Sequence, residues 1–291
     1  MCWIDQLPFR LGTTSYIIPD DILPNVRWLA GQVQDIELVL FELDDGSSNL
    51  PALQVIDELF ILAQINDLSF TVHLPLDLRL GAEGEPQHVS LQKAQKVIAR
   101  TLPLQPKAYV LHLDGKEVRA GVSDEELRHW QMQSVQTLEI VASWVGGAER
   151  LAVENLEGYP LDFLDEVLEQ TSVSCCVDIG HLWLDNHDPL PFLNHWLNRT
   201  TVVHLHGQAE RDHRSLSFIP PHKLDEVLEL LCKAEYRGVV TVEVFTQEDF
   251  HLSMEALQAS FERLRTGGRI TGAEHGRKAD LDSGWGAQWK K

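Results

Sequence analysis

Residues 172–181 read Ser172-Val173-Ser174-Cys175-Cys176-Val177-Asp178-Ile179-Gly180-His181. A short apolar run rich in β-branched residues is typical of a strand buried on both faces, as in a parallel sheet. The run ends in Asp178 and His181, two side chains that can bind a metal ion. The same order, an apolar run followed by a metal-binding side chain, recurs along the chain. This recurrence decides the predicted fold.

Eight apolar, β-rich runs alternate with amphipathic helical stretches. The strands are predicted at 10–18, 35–42, 69–76, 107–114, 149–156, 172–179, 201–206 and 239–245. The helices are predicted at 22–30, 52–64, 91–100, 124–144, 163–169, 192–198, 223–236 and 250–265. Eight strands that are each followed by a helix predict a parallel sheet, and eight such units can close into a barrel. The fourth helix follows Ser123-Asp124-Glu125-Glu126, which has the pattern of a capping box.

The predicted fold is therefore α/β, a single (β/α)8 TIM barrel that occupies residues 1–266. A doubly wound open sheet is the alternative arrangement of the same elements. Residues 267–291 are rich in glycine and charge and lack periodicity, so we expect a flexible C-terminal tail there.

Composition limits the classes of function. The chain has 291 residues, is 44% hydrophobic and carries a net charge of −20. Such a charge disfavours a nucleic-acid partner, because binding a polyanion normally uses many Lys and Arg contacts. No apolar run reaches the ~20 residues of a membrane span, and the N-terminus lacks a signal-peptide pattern. The four cysteines show no CxxC spacing and are interpreted as buried thiols, so we expect a cytoplasmic protein.

Strands three to eight all end in side chains that can bind metal. In order they are His73, His112, Glu154, Asp178 with His181, His204 and Glu243. The carboxyl ends of the strands of a (β/α)8 barrel meet at one face, where so many carboxylates and imidazoles would be costly to assemble without a cation. We predict a centre of two divalent ions, zinc or manganese, with room for a third. Two ions about 3.5–4 Å apart need a shared carboxylate, and Glu154 is the predicted bridge.

The loop after strand seven carries Asp212 and His213. Because this loop also lies at the carboxyl ends of the strands, both side chains are expected near His181. Together the three would hold a third ion or position a scissile phosphate. The alternative is a solvated polar loop without such a role.

Other polar residues at the strand ends are expected to contact a substrate. They are Thr13, Thr14, Ser15 and Tyr16 toward the end of strand one, Glu42 at the end of strand two and His206 at the end of strand seven. For the first four, the alternative is a capped turn into the first helix. The residues expected to act in catalysis are Glu154, His181 and Glu243.

These positions resemble those of the xylose-isomerase-like barrel superfamily, which includes endonuclease IV. In endonuclease-type sites, the metal ions are held by side chains from strands three to eight. They are histidines on strands three and four, a Glu on strand five, an Asp-x-x-His after strand six, a His on strand seven, an Asp and a His in the next loop, and a Glu on strand eight. The matching residues here are His73, His112, Glu154, Asp178 with His181, His204, Asp212 with His213, and Glu243. The adjacent Asp212 and His213 depart from the endonuclease spacing, in which one residue intervenes.

Within that superfamily the chain more closely resembles the cobamide-remodelling phosphodiesterases. The matching stretches are 11–21, 35–42 and the loop 204–213, and the resemblance runs over roughly residues 10–250. It implies hydrolysis of the phosphoribosyl bond in the nucleotide loop of a vitamin B12-type cofactor. The products would be a lower-ligand riboside and a phosphorylated cobinamide.

Three classes of function follow. A metal-dependent phosphodiesterase acting on a small molecule, a cobamide, is favoured over an abasic-site endonuclease because of the net charge. A sugar isomerase or epimerase would need one metal, held by Glu154, Asp178, His204 and Glu243. A non-catalytic metal-binding barrel is the third class. The pair His73 and His112 separates the first two, since only a second metal requires both imidazoles.

Overall fold

The eight parallel strands pair in sequence order, and the eighth also pairs with the first, so the sheet closes into a barrel. The computed structural model describes residues 2–42, 46–82 and 84–271, and the strands belong to these ranges. They are β1 Arg10–Thr14, β2 Asp35–Val39, β3 Ser69–His73, β4 Tyr109–Leu111, β5 Leu151–Glu154, β6 Ser174–Asp178, β7 Thr200–Leu205 and β8 Val239–Val242. The predicted (β/α)8 barrel is confirmed, and the open doubly wound sheet is excluded.

Helices of the described ranges connect the strands. They are α1 Ile22–Leu29, α2 Leu53–Asn66, α3 Val89–Thr101, α4 Asp124–Val145, α5 Asp165–Glu169, α6 Ile179–Leu184, α7 Pro189–Trp196, α8 Pro221–Lys233 and α9 Gln247–Thr266. The predicted capping box of α4 is confirmed, because Ser123 Oγ accepts from Glu126 N while the Glu126 carboxylate accepts from Ser123 N. The predicted tail at 267–291 falls outside the described residues from residue 272 onward.

Helix α6 is absent from the sequence-based prediction. The pattern at 178–181 indicates a turn, whereas a helix begins at Ile179 directly after β6. The physical reason is a side-chain cap, since the Asp178 carboxylate accepts a hydrogen bond from His181 N at 2.7 Å. The strand therefore passes into a helix without a connecting loop, and His181 lies in the first turn of that helix.

The barrel interior is narrow and partly polar. Its apolar cluster consists of small and branched side chains, namely Ala108, Val110, Ala152, Cys176 and Val202. A second, larger apolar layer packs the outer strand faces against the helices. Cys175 and Cys176 are buried free thiols, as expected, whereas Cys2 is exposed. Within the described residues, no helix combines the length and the hydrophobicity required to span a membrane.

Candidate metal centre

The carboxyl ends of β3 to β8 bring their polar side chains into several adjoining groups of potential metal ligands. His73, Glu154 and Asp178 are the last residues of β3, β5 and β6. His204 lies near the end of β7, and Glu243 directly follows β8. Because all strands are parallel, these positions share one face of the barrel.

The first group, which we call the carboxylate set, consists of Glu154, Asp178, His204 and Glu243. One potential ligand atom from each lies within 4.8 Å of the others. His204 Nδ1 is 3.1 Å from Glu243 Oε2, 3.5 Å from Glu154 Oε1 and 3.7 Å from Asp178 Oδ2. All four side chains are buried. The set therefore surrounds a small volume with three carboxylates and one imidazole.

The second group, the paired-imidazole set, consists of His73, His112 and Glu154. Glu154 Oε2 lies 3.4 Å from His73 Nε2 and 3.1 Å from His112 Nε2. The two rings are nearly perpendicular, with centroids 4.9 Å apart. Glu154 thus directs Oε2 to this set and Oε1 to the carboxylate set. A carboxylate shared between two ions needs this arrangement.

The third group, the three-histidine set, consists of His181, His206 and His213. The rings of His206 and His213 stack with centroids 4.4 Å apart, and His206 Nε2 lies 3.3 Å from Asp178 Oδ1. His206, which the sequence pattern assigns to the substrate, therefore belongs with the candidate metal ligands. Asp212 is less central: its half-exposed carboxylate contacts His213 Nδ1 at 3.2 Å. Strand alternation could have identified His206, because residues two apart on a strand face the same side.

Unpartnered buried atoms test whether these residues fit a metal ion. Among the described residues, Asp178 Oδ2, His204 Nδ1, Glu243 Oε2 and His206 Nε2 are buried without a hydrogen-bond partner. A buried polar atom left unsatisfied costs about 1–3 kcal/mol. Three of these atoms belong to the carboxylate set and the fourth to the three-histidine set. A divalent cation would satisfy them together, so the donor set fits zinc or manganese.

The imidazoles compensate the buried carboxylates electrostatically. Burial alone would raise the pKa of Glu154, but the neighbouring His204 and His112 outweigh it and hold that pKa well below its ordinary value. Burial alone would lower the pKa of His112, because it disfavours the charged imidazolium. Glu154 and Asp77 outweigh this effect and raise the pKa of His112 to about 10. Without a metal ion, positive imidazoles therefore balance the carboxylates, so binding an ion requires the release of protons.

The hydroxyls at the end of β1 lie inside the barrel wall. Thr13 Oγ1 donates to Val242 O at 2.7 Å, and Thr14 Oγ1 donates to Val244 O at 2.6 Å. Ser15 Oγ accepts from the Val39 amide at 3.1 Å. All three side chains are fully buried. The expectation that they contact a substrate is corrected accordingly: they join β1 to the segments beside it.

Two other residues expected at the substrate are engaged by neighbouring side chains. The Tyr16 hydroxyl accepts a hydrogen bond from Asn49 Nδ2 at 2.8 Å. The Glu42 carboxylate pairs with Lys96 and accepts a hydrogen bond from Ser48. Glu42 does not line the cavity at the mouth of the barrel, which His73 and His112 line. Glu42 therefore links β2 to α3 in this structure.

An open cavity of about 380 Å³ lies above the paired-imidazole and carboxylate sets. Lys116, Arg119 and Phe245 are among the residues that line it. Lys116 Nζ also contacts Asp77 Oδ2 at 2.6 Å, and Asp77 Oδ1 lies 3.2 Å from His112 Nδ1. None of these four residues is among the predicted site residues. Their position in the sequence could have identified them, because the segments after β3, β4 and β8 lie at the mouth of the barrel.

The fold and the site together define a class: a closed (β/α)8 barrel with a candidate centre for more than one metal ion at the carboxyl ends of its strands. The chain belongs to the family of xylose isomerase-like TIM barrels, whose family model matches residues 33–266. No curated protein sequence matches the chain.

Solved structures share the fold at low sequence identity. A D-tagatose 3-epimerase-like protein is 20% identical, covers 89% of this chain and 100% of its own, and gives a TM-score of 0.71. Endonuclease IV from Thermus thermophilus is 19% identical, with coverages of 87% and 99% and a TM-score of 0.60. The 3-keto-D-glucoside 4-epimerase from E. coli is 17% identical, with coverages of 89% and 99% and a TM-score of 0.56. These similarities concern the fold alone.

Proposed function

We propose that this protein is a metal-dependent phosphodiesterase that acts on a small organic molecule. The observation that carries the proposal is the position of Glu154, whose two carboxylate oxygens face two different candidate metal sets. The chemistry that paired ions supply when bound is neutralisation of the phosphate and of the leaving oxygen, together with activation of a water molecule. His73 and His112 complete the second set, which a one-metal reaction does not need.

The chain's own residues around the mouth fit a bulky phosphodiester. Lys116 and Arg119 line this cavity, and we propose that they contact the substrate phosphate. Leu156, Tyr159 and Phe245 add apolar and aromatic surface to the same cavity. A single phosphate in a large organic molecule would bind to the metal ions and the cationic side chains, while the remainder of the molecule packs on the apolar and aromatic side chains of the same cavity.

We further propose that the substrate is a cobamide, cleaved at the phosphoribosyl bond of its nucleotide loop. This part rests on the sequence resemblance of 11–21, 35–42 and 204–213 to the cobamide-remodelling phosphodiesterases. The net charge of −20 supports a small-molecule substrate over duplex DNA, because a polyanion is repelled at long range.

A sugar isomerase or epimerase is the second candidate. The specific observation in its favour is the carboxylate set, which is complete with one imidazole and three carboxylates and would hold one ion without the other two sets. Epimerases among the solved structures with this fold agree with that alternative. In such an enzyme, Glu154 and Glu243 would also serve as acid and base.

The substrate test uses three parallel incubations of the metal-loaded protein. A cobamide, a duplex DNA with an abasic site and a ketose are each followed by chromatography or gel electrophoresis. We expect the cobamide alone to be cleaved. Nicked DNA with an intact cobamide would show that DNA, not a cobamide, is the substrate. Interconversion of the ketose, with neither phosphodiester cleaved, would establish the epimerase.

A variant separates the two mechanisms within the same protein. His112→Ala removes an imidazole of the paired-imidazole set and retains all four residues of the carboxylate set. We expect it to lower bound metal per chain and to reduce phosphodiester cleavage by at least about 100-fold, as loss of a group essential for metal binding implies. Full activity with unchanged metal stoichiometry would contradict the two-ion mechanism.

A further inference from the structure

We infer that Glu37 is a positioning residue that fixes the tautomer of His204, so that His204 Nδ1 faces the carboxylate set. This inference rests on the metal-binding part of the proposed function and is independent of the reaction catalysed. Glu37 lies on β2, and it is not among the residues to which the sequence assigns a functional role.

The contact joins two residues that are distant in the sequence and meet inside the barrel. His204 Nε2 lies 3.1 Å from Glu37 Oε2, although the two residues are 167 positions apart. Both side chains are fully buried, so bulk water does not compete for this hydrogen bond. The other ring nitrogen, Nδ1, points to Glu154, Asp178 and Glu243. The two nitrogens of one imidazole therefore have two different environments.

The chemistry of imidazole gives this contact its role. A neutral imidazole carries one N–H and one nitrogen with a free lone pair. The Glu37 carboxylate has no proton to give when ionised, so it accepts the N–H of Nε2 and leaves the lone pair on Nδ1. A carboxylate hydrogen-bonded to the outer nitrogen of a ligand histidine also increases the basicity of the nitrogen that binds metal. Glu37 would thus orient His204 and strengthen it as a ligand.

Glu37 has few other hydrogen-bond partners among the described residues, and its Oε1 atom has none. Thr71 Oγ1 lies 3.4 Å from Glu37 Oε2 and 2.9 Å from Asp35 Oδ1. Asp35 also accepts from Ser69 Oγ at 2.5 Å. Barrel interiors are normally filled by apolar side chains, and burying an ionised carboxylate costs several kcal/mol. The bond to His204 gives Glu37 a compensating partner, whereas Asp35 is bonded to hydroxyls and does not touch His204.

This difference supplies a matched control. Glu37→Met removes both the charge and the acceptor at nearly constant volume, and Glu37→Gln keeps an acceptor but removes the charge. Asp35→Asn removes the neighbouring buried carboxylate without changing the contact to His204. A loss of metal affinity shared by all three would indicate a general effect of altering the barrel interior.

The experiment measures Zn²⁺ affinity by competition with a chelator and the protonation of the His204 ring by nitrogen-15 NMR of the zinc-loaded protein. We expect Glu37→Met to weaken zinc binding about 10–100-fold, the usual effect of losing such a partner, with a smaller loss in Glu37→Gln. Asp35→Asn should retain the wild-type affinity, and wild-type His204 should carry its proton on Nε2.

Wild-type affinity in Glu37→Met, equal losses in Glu37→Met and Asp35→Asn, or a proton on Nδ1 of wild-type His204 would each overturn the inference. If Glu37→Met does not fold, Glu37→Gln and the NMR tautomer decide the question. Zinc binding without phosphodiesterase activity would refute the proposed reaction and leave this inference standing. Absence of zinc binding in the wild type would remove the basis of both.

Discussion

At the scale of single residues, the centre depends on side chains that serve two neighbours. Glu154 stands between the paired-imidazole and carboxylate sets, and Asp178 between the carboxylate and three-histidine sets. Asp178 also caps α6 through its Oδ1 atom. Removing either carboxylate would leave several imidazoles without their partner. These two residues should therefore be the least tolerant of substitution.

Glu154→Gln tests the bridging position. The amide keeps the size of the side chain but lacks the negative charge that two cations would share. We expect metal per chain to fall, activity to be lost and the circular dichroism spectrum to remain that of the wild type. Glu149→Gln, which changes an exposed carboxylate just before the start of the same strand, is the matched control and should behave as the wild type. Unchanged metal stoichiometry in Glu154→Gln would rule out the bridge.

At the scale of elements, α6 sets the geometry of the three-histidine set. The helix begins where β6 ends, and it places His181 beside His206 with ring centroids 5.5 Å apart. Gly180 makes this approach possible, because a Cβ at that position would overlap the His206 ring. The glycine is needed for close packing of a helix against a ligand side chain.

Gly180→Ala should therefore act through His206. The added methyl group would displace the imidazole, so we expect weaker metal binding at the three-histidine set with the carboxylate set retained. A double-mutant cycle with His206→Ala checks the cause. If the steric explanation holds, Gly180→Ala has little further effect once the His206 ring is gone. Additive losses in the double variant would show that the glycine acts elsewhere.

The elements also show how much a sequence can predict. The alternation of β-rich and amphipathic runs predicts every strand of the barrel, because these periods are local properties of the chain. It does not predict α6, since the segment 179–184 directly follows the strand and is too short to show a helical period. The one local signal is Asp178, a favourable N-cap residue at the junction.

At the scale of the whole molecule, a metal ion should contribute to stability. An ion that binds only the folded state at 100 times its dissociation constant adds about 2.7 kcal/mol. For a chain of this size, that corresponds to an increase of several degrees in the melting temperature. We expect chelation to lower the melting temperature and zinc or manganese to restore it. Identical melting curves with and without metal would contradict a folded-state metal centre.

The buried Asp35 predicts a pH dependence of stability. Burial raises the pKa of Asp35 to about 6, although hydrogen bonds from Ser69 and Thr71 oppose the shift. Because this folded-state pKa exceeds the unfolded value of about 3.9, its contribution to stability is present below pH ~4 and is lost as the pH rises through ~6. At pH 8 the loss is on the order of 3 kcal/mol.

Asp35→Asn does not ionise and should escape this loss. The free energy of unfolding, measured in urea, should therefore increase in the variant relative to the wild type as the pH rises from 4 to 8. A difference between variant and wild type that stays constant over this range would show that Asp35 does not titrate near pH 6.

The amino-acid sequence alone was sufficient to predict the barrel and to identify the strand ends that carry potential metal ligands. Both follow from local patterns and from the rule that parallel strands of a barrel end at one face. Other side-chain directions depend on the tertiary structure: Thr13 and Thr14 turn into the barrel wall, and Glu37 meets His204. A contact between residues as far apart in the sequence as 37 and 204 depends on closure of the sheet, which makes β2 and β7 face each other across the barrel interior. Local sequence patterns cannot predict such a contact, because they describe only neighbouring residues.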